Sequence, residues 1–271
     1  MEFYQTVEDA RTALDRELKI QLVSVGSTAT ELCRAQYPEM LVKLYRAGAS
    51  VPPRISFDWV DSDDVITLRA LIRRSDFTYV VASTEDASAL RAVPTATQAE
   101  RNSFTVTAWL GSPNEAPHMK TPHIAVSRRV LTPFWDICSS HYVISLIGID
   151  WSDISDAFRF FADFSCTEFK GSVTSEQLIF DRDPNEQLRN LSHHETPLSV
   201  FLVTYLRESV DFSLAADASS QILALLPDDT SVILNMWTVP PSALRDDVLI
   251  RIYYGERRKI RKKIDTGRIL S

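Results

Sequence analysis

Apolar positions recur at helical spacing early in the chain and at alternating spacing through most of the rest. Val7, Ala10, Leu14 and Leu18 share one face behind Thr6, a candidate N-cap, and predict an opening helix. A second amphipathic piece carries Leu32, Cys33, Met40, Leu41, Leu44 and Tyr45, with Pro38 expected to end or restart a helical turn. Arg54 to Trp59 reads as a short strand. Asp63 or Asp64 then caps a helix whose apolar positions are Ile66, Leu68, Leu71 and Ile72. Phe77 to Ala82, β-branched and aromatic, reads as strand, and residues 83–102 as a polar loop.

Beyond that point the pattern is mostly of strands: Phe104 to Leu110, Tyr142 to Ile149, Val173 to Phe180, Val200 to Leu206, Ile222 to Leu226, Val232 to Trp237 and Val248 to Tyr254. Turn-rich pieces separate them, such as "DRDPNE", "LPDDT" and "VPPSALRDD". Ser152 or Asp153 is expected to cap a short helix with the face Ala157, Phe158, Phe161 and Phe164, and Gly171 to let the chain bend into the next strand. Many strands at such spacing predict a mainly β fold, an antiparallel jelly-roll sandwich with short covering helices. The division expected is a helical N-terminal arm over residues 1–60, a sandwich over 61–256 and a basic tail over 257–271.

Composition changes this picture little. The chain has 271 residues, 45% hydrophobic and 24% charged, which suffices for a sizeable core. Its 7 glycines against 13 prolines argue against phosphate-cradling loops. A net charge of −7 offers no general basic surface, yet Arg257, Arg258, Lys259, Arg261, Lys262 and Lys263 cluster near the end. Cys33, Cys138 and Cys166 are too far apart for a zinc motif and are expected as free thiols in a reducing compartment. No signal peptide is read at the N-terminus, and no apolar run is long enough to span a bilayer.

Candidate chemistry is sparse. No GxSxG, HExxH, GxxxxGK[ST] or GxGxxG occurs, so no catalytic residue, metal ligand or cofactor is assigned. His118 and His123 lack a paired carboxylate. His193-His194-Glu195 reads as a polar loop, Asp150, Asp153 and Asp156 as an acidic helical turn, and His141 as a core or edge histidine.

Several segments in order carry a resemblance. "DDVITLRALIRRSDF", "FRFFADFSCTEFKGSV", "SVILNMWTVPPSA" and "DDVLIRIYYGE" resemble segments of capsid proteins of picorna-like viruses, among them dicistroviruses, iflaviruses and marine relatives. Lys170-Gly171-Ser172 stands where that family has Arg-Gly-Ser. The resemblance implies a non-enzymatic structural protein of the virion, assembled in the host cytoplasm with other jelly-roll capsid subunits into an icosahedral shell. It makes Leu68, Arg69, Leu71, Ile72, Arg73, Phe158, Phe161 and Phe164 candidates for subunit interfaces. It also places the basic tail on an outer surface, against a neighbour or solvent, with genomic RNA touched at most indirectly. The alternatives from other classes are an enzyme assembled from scattered residues, with His193, His194 and Glu195 the first suspects, and a β-sandwich adaptor or ligand-binding module.

Overall fold

Strand and helix alternate through the first half of the chain. Ile20–Val25 (β1) leads through Gly26 into helix Ser27–Arg46 (α1), then Ile55–Val60 (β2), Val65–Arg73 (α2), Phe77–Ser83 (β3), Ala89–Thr97 (α3) and Phe104–Leu110 (β4). A 3-10 turn, Pro113–Glu115, precedes His123–Val126 (β5), Thr132–Tyr142 (α4) and Trp151–Arg159 (α5). The second half continues with Phe161–Thr174 (β6), Gln177–Phe180 (β7), Pro184–Leu188 (α6), Leu198–Arg207 (β8), Phe212–Leu223 (α7), Ser231–Val239 (β9) and Val248–Arg257 (β10). This computed structural model describes residues 18–47, 55–98, 104–142, 151–159, 161–174, 177–189, 191, 198–240 and 244–257.

Among the described residues the strands form one ten-stranded sheet, ordered β2-β1-β3-β4-β5-β6-β10-β8-β9, with β7 paired to β6. From β2 to β6 every pairing is parallel. In the second half β10 runs antiparallel to both β6 and β8, and β9 is parallel to β8. The expected antiparallel jelly roll is therefore corrected to a mixed α/β sheet. The reason is visible in β1, β3 and β4, whose residues are all buried. Strands covered on both faces belong to parallel α/β sheets, where helical crossovers lie on each side.

Helix α1 covers β1 and β3 on one face with Ala29, Cys33, Met40 and Leu44, and Phe134, Phe158 and Phe164 extend that layer across the sheet. On the other face, Leu68 and Ile72 of α2 and Ala89, Val93 and Ala96 of α3 pack against Val23, Val80 and Trp109. A separate cluster under α7 joins Ala215, Ala218 and Ile222 to Val200, Leu202, Ile250 and Ile252. Helix α1 passes through Pro38 without a break.

Several local expectations change. Residues 18–60, assigned to an arm, supply β1, α1 and β2 of the sheet itself. The polar stretch 83–102 contains α3, and Ile222 belongs to α7 rather than to a strand. Tyr142 ends a helix, and 143–149 lie outside the described residues. Phe158 lies on α5, but Phe161 and Phe164 lie on β6, so the aromatic spacing straddles a helix–strand junction. Gly171 sits within β6, where a Cβ would come 2.5 Å from Leu178 Cδ1, so close approach of β7 is its reason. The opening helix expected at residues 6–17 lies outside the described residues.

Candidate functional site

In an open α/β sheet, ligands bind outside the carboxyl ends of the strands, in the crevice where successive connections leave in opposite directions. Here β1 connects outward to β2 and the chain then returns past β1 to β3. The crevice is thus set between the carboxyl ends of β1 and β3, floored by Gly26 and bordered by the loop at Thr84–Ser88.

Gly26 has φ +80° and forms the N-cap of α1, with no side chain capping that helix. A Cβ at this position would lie 2.7 Å from Asp86 Oδ2 and 3.1 Å from Ser62 Oγ. The carboxylate of Asp86 therefore occupies the crevice. Its Oδ1 accepts from the N–H groups of Ser88 at 3.0 Å and Ala89 at 3.1 Å, at the start of α3. Burial opposes its charge, but hydrogen bonds from Ser62, Ala89 and Ser88 outweigh that and hold the carboxyl below its usual range.

The neighbouring loops repeat the arrangement. Asp64 caps α2 by accepting from Thr67 N–H at 2.9 Å, and hydrogen bonds from Thr67 lower its pKa. At the end of β4, Gly111 has φ +134°, and a Cβ there would stand 1.9 Å from Thr84 Oγ1. Glu115 then folds back, accepting from Thr84 Oγ1 at 3.1 Å and Ser112 N–H at 3.4 Å. The loop after β4 leads into a three-residue 3-10 turn, not a helix, so it presents no long helix dipole. At the loops of Asp64, Asp86 and Glu115, one or two N–H groups are already bonded to the protein's own carboxylate, whereas the α1 N-terminus has no side-chain cap. Asp61, Asp63 and Glu85 add further negative charge at this edge. Beside it lies a cleft of about 270 Å³ lined by Gly26, Ser27, Thr30, Arg34, Trp59 and Asp61. The Arg34 guanidinium stands 6.0 Å from the Trp59 ring.

A second polar cluster is internal. Asp136 of α4, fully buried, accepts from Tyr205 OH at 2.5 Å, from Tyr253 OH and from Arg251 Nη1 at 2.7 Å. Arg251 also donates through Nε to Glu168 Oε2 at 2.8 Å, and its guanidinium lies 5.8 Å from Trp135 and 5.6 Å from Tyr205. Burial raises the pKa of Asp136, and the Arg251 charge opposes the rise. These groups come from α4, β6, β8 and β10, and they tie one helix across both halves of the sheet.

The residues singled out from sequence do not converge on either cluster. Leu68, Ile72, Phe158, Phe161 and Phe164 are buried in the chain's own core, and Leu71 packs against it. Arg69 Nη2 donates to Thr95 O at 3.2 Å, holding α2 to α3. Arg73 closes α2. His118 is exposed, His123 is buried with Nδ1 3.2 Å from Thr121 O, and burial lowers the pKa of His141. His193, His194, Glu195 and the tail beyond Arg257 lie outside the described residues. Cys33 and Cys138 are buried free thiols, and burial pushes Cys33 up to about 12. Among the described residues no group of His, Cys, Asp and Glu is placed to hold a metal, and no helix is long and apolar enough to cross a membrane. Sequence reading missed the switch-point crevice. Its signal was the apolar run Ile20–Val25 followed by Gly26-Ser27 and a helix.

By sequence the chain matches no protein-family model and none of the curated proteins. By structure it is similar to a tryptophan-to-tyrosine mutant of FtsZ from M. jannaschii, with a TM-score of 0.62 and 10% identity over 92% of this chain and 94% of that one. The fold is that of FtsZ. An empty FtsZ dimer from the same organism gives the same TM-score and identity, covering 92% of each chain. CetZ from Methanosaeta thermophila gives a TM-score of 0.52 at 9% identity, over 89% of this chain and 87% of that one. This FtsZ-like fold overturns the capsid resemblance and, with it, the virion location, the icosahedral shell and the capsid-subunit partners. The β-sandwich adaptor or enzyme is not supported either, since the strands of the described residues lie in one mixed sheet. An FtsZ-like fold is compatible with an enzyme, so the absence of known catalytic motifs does not make the chain a non-enzyme. The segments that suggested a capsid are amphipathic pieces of α2, α5, β6, β9 and β10, whose spacing serves any helix or strand covering a core.

Proposed function

We propose that the chain is a cytoplasmic, tubulin-like protein of the FtsZ kind that associates with copies of itself, and that this association does not depend on a bound nucleoside triphosphate. The observation that carries the second half is Asp86, seated against Gly26 at the switch point and bonded to the α3 N-terminus. A triphosphate entering there would have to displace it and face Asp61, Asp63, Asp64, Glu85 and Glu115. Like charges in a partly desolvated crevice repel strongly.

Support for self-association comes from the FtsZ dimer among the similar structures and from the charge polarity of the sheet. The carboxyl edge of β1–β4 is acidic. The amino edge carries Lys19, Arg46, Arg73 and Arg74, and β10 leaves the sheet there, followed in sequence by Arg258, Lys259, Arg261, Lys262 and Lys263. Head-to-tail stacking brings opposite charges together, and a heterologous contact of this kind repeats into an open filament.

A second reading is a nucleotide hydrolase. One observation favours it: α1 has an uncapped N-terminus beside the cleft that holds Arg34 and the exposed Trp59 ring. Sedimentation and negative-stain imaging with and without GTP and magnesium, together with phosphate release, separate the two. Assembly that is unchanged by nucleotide and weakened by salt supports the first. Tight GTP binding with phosphate release establishes the second.

A further inference from the structure

Among the described residues β2 pairs only with β1, so one edge of the sheet carries unpaired main-chain groups. The direction of these groups follows from one bond. Gly26 N–H donates to Val60 O at 3.0 Å. In a parallel ladder, successive residues turn their main-chain groups to opposite sides. Ser56, Asp58 and Val60 therefore bond to β1, and Ile55, Phe57 and Trp59 present N–H and C=O outward. Proline, glycine and lysine, which commonly blunt such an edge, do not occur in Ile55–Val60. Its one charged residue, Asp58, lies on the opposite face from Phe57, where Gln21 Nε2 donates to it at 2.6 Å. Ile55, Phe57 and Trp59 stand together on the α1 face. The Tyr37 ring lies 5.2 Å from Phe57, its hydroxyl donates to Ile55 O at 2.7 Å, and Arg34 lies over Trp59. Even so, Trp59 is 56% exposed.

We propose that the outer edge of β2 pairs antiparallel with β2 of a second copy, about a two-fold axis at Phe57. The hydrogen bonds close in this register. Phe57 faces Phe57 and Ile55 faces Trp59, and all three turn N–H and C=O outward, so each facing pair exchanges both bonds. Ile55 O already accepts from Tyr37, and a carbonyl oxygen has a second lone pair. The side chains match as well. On the α1 face each Trp59 stands against an Ile55 and the two Phe57 rings meet, and aromatic and β-branched cross-strand pairs of this kind stabilise sheets. On the other face Ser56 comes opposite Asp58. Charge selects the antiparallel direction. At the carboxyl end of β1 and β2, Glu31, Asp61 and Asp63 outnumber Arg34. At the amino end, Lys19, Arg46, Arg73 and Arg74 outnumber Asp76. Between the ends, Glu39 and Lys43 neutralise each other at 2.8 Å. Antiparallel pairing sets the acidic end of each copy beside the basic end of the other, whereas parallel pairing sets like beside like. This contact is isologous and closes at two copies, so it is a different surface from head-to-tail stacking and does not rest on it.

The experiment is hydrogen exchange of the full chain, resolved by residue with NMR, at high salt, which screens contacts between the charged ends. In a concentrated sample the amides of Ile55, Phe57 and Trp59 should exchange about tenfold or more slowly than in a dilute one. Those of Ser56, Asp58 and Val60, bonded to β1 in either state, should not respond to concentration. Sedimentation of the same samples should show one copy passing to two and no further. Trp59→Pro removes an outward N–H without touching the β1 ladder, and should weaken pairing by about tenfold or more. Trp59→Tyr keeps both the N–H and an aromatic side chain, and should leave pairing within about threefold. Free exchange of the three outward amides at every concentration would overturn the proposal. Protection that does not fade on dilution would also overturn it, by showing that the chain covers its own edge. So would growth past two copies at high salt. Failure of head-to-tail stacking at low salt moves none of these readouts, so the two readings fail separately.

Discussion

Replacing Asp136 with alanine probes the join between the two halves of the sheet. The carboxylate receives the Tyr205 and Tyr253 hydroxyls and Arg251 Nη1, all at a fully buried position. Removing it takes that acceptor from both hydroxyls, leaving Tyr205 OH with Ser139 Oγ at 3.1 Å, and Arg251 keeps only Glu168 as a charged partner. Breaking one side of a buried ion pair costs about 3–5 kcal/mol, because the charge left behind is uncompensated. For a chain of this size, that lowers the melting temperature by roughly 6–20 °C. The assay is urea unfolding followed by circular dichroism, with the midpoint falling and the slope unchanged. The Asp136→Leu/Arg251→Leu double variant should recover most of the loss, since an apolar pair of similar volume removes the unpaired charge. A loss below about 1 kcal/mol for Asp136→Ala would refute the reasoning, because it would place the carboxylate among surface-like pairs.

Other outcomes follow from the same geometry. Asp86→Ala should uncover the Ser88 and Ala89 N–H groups, costing about 1 kcal/mol as a lost cap and raising affinity for inorganic phosphate in calorimetry. Gly111→Ala should destabilise by about 2 kcal/mol or more in thermal melts, since its Cβ would meet Thr84 Oγ1 at a positive φ. The Glu168 carboxyl is lowered despite burial, chiefly by the Arg251 charge, so its contribution is complete above its unfolded value near pH ~4.3 and is lost as pH falls through the folded value; melting temperature should drop across that window. Deleting residues after Glu256 should weaken self-association and flatten its salt dependence in sedimentation, without creating or abolishing RNA binding.

Much of the local structure was legible from residue spacing. Strands β2, β3, β4, β8, β9 and β10 and helix α2 follow from β-branched runs or i, i+3, i+4 apolar positions, and Asp64 was one of two expected caps. Helix α3 was hidden because Thr95, Thr97 and Pro94 lower its helical signal, and burial of Ala92, Val93 and Ala96 against β3 and β4 is what stabilises it. Strand direction was not legible at all. A run such as Phe77–Ser83 is apolar on both faces, and periodicity does not distinguish parallel from antiparallel neighbours. Missing α3 and β1, and placing the Leu32–Tyr45 helix in an arm, removed the crossovers that would have signalled a parallel sheet.

Sequence alone therefore determined several strands and the α2 helix, the shortage of glycine and the absence of familiar catalytic motifs. Only tertiary structure decided that Asp86, sixty residues from Gly26 in sequence, closes the crevice beside it. The same holds for Asp136 and Arg251, which are 115 residues apart. Local spacing encodes which face of an element is apolar, through contacts a few residues long. A crevice or a buried ion pair is made by strand order, and strand order is set by how all the apolar faces are buried at once.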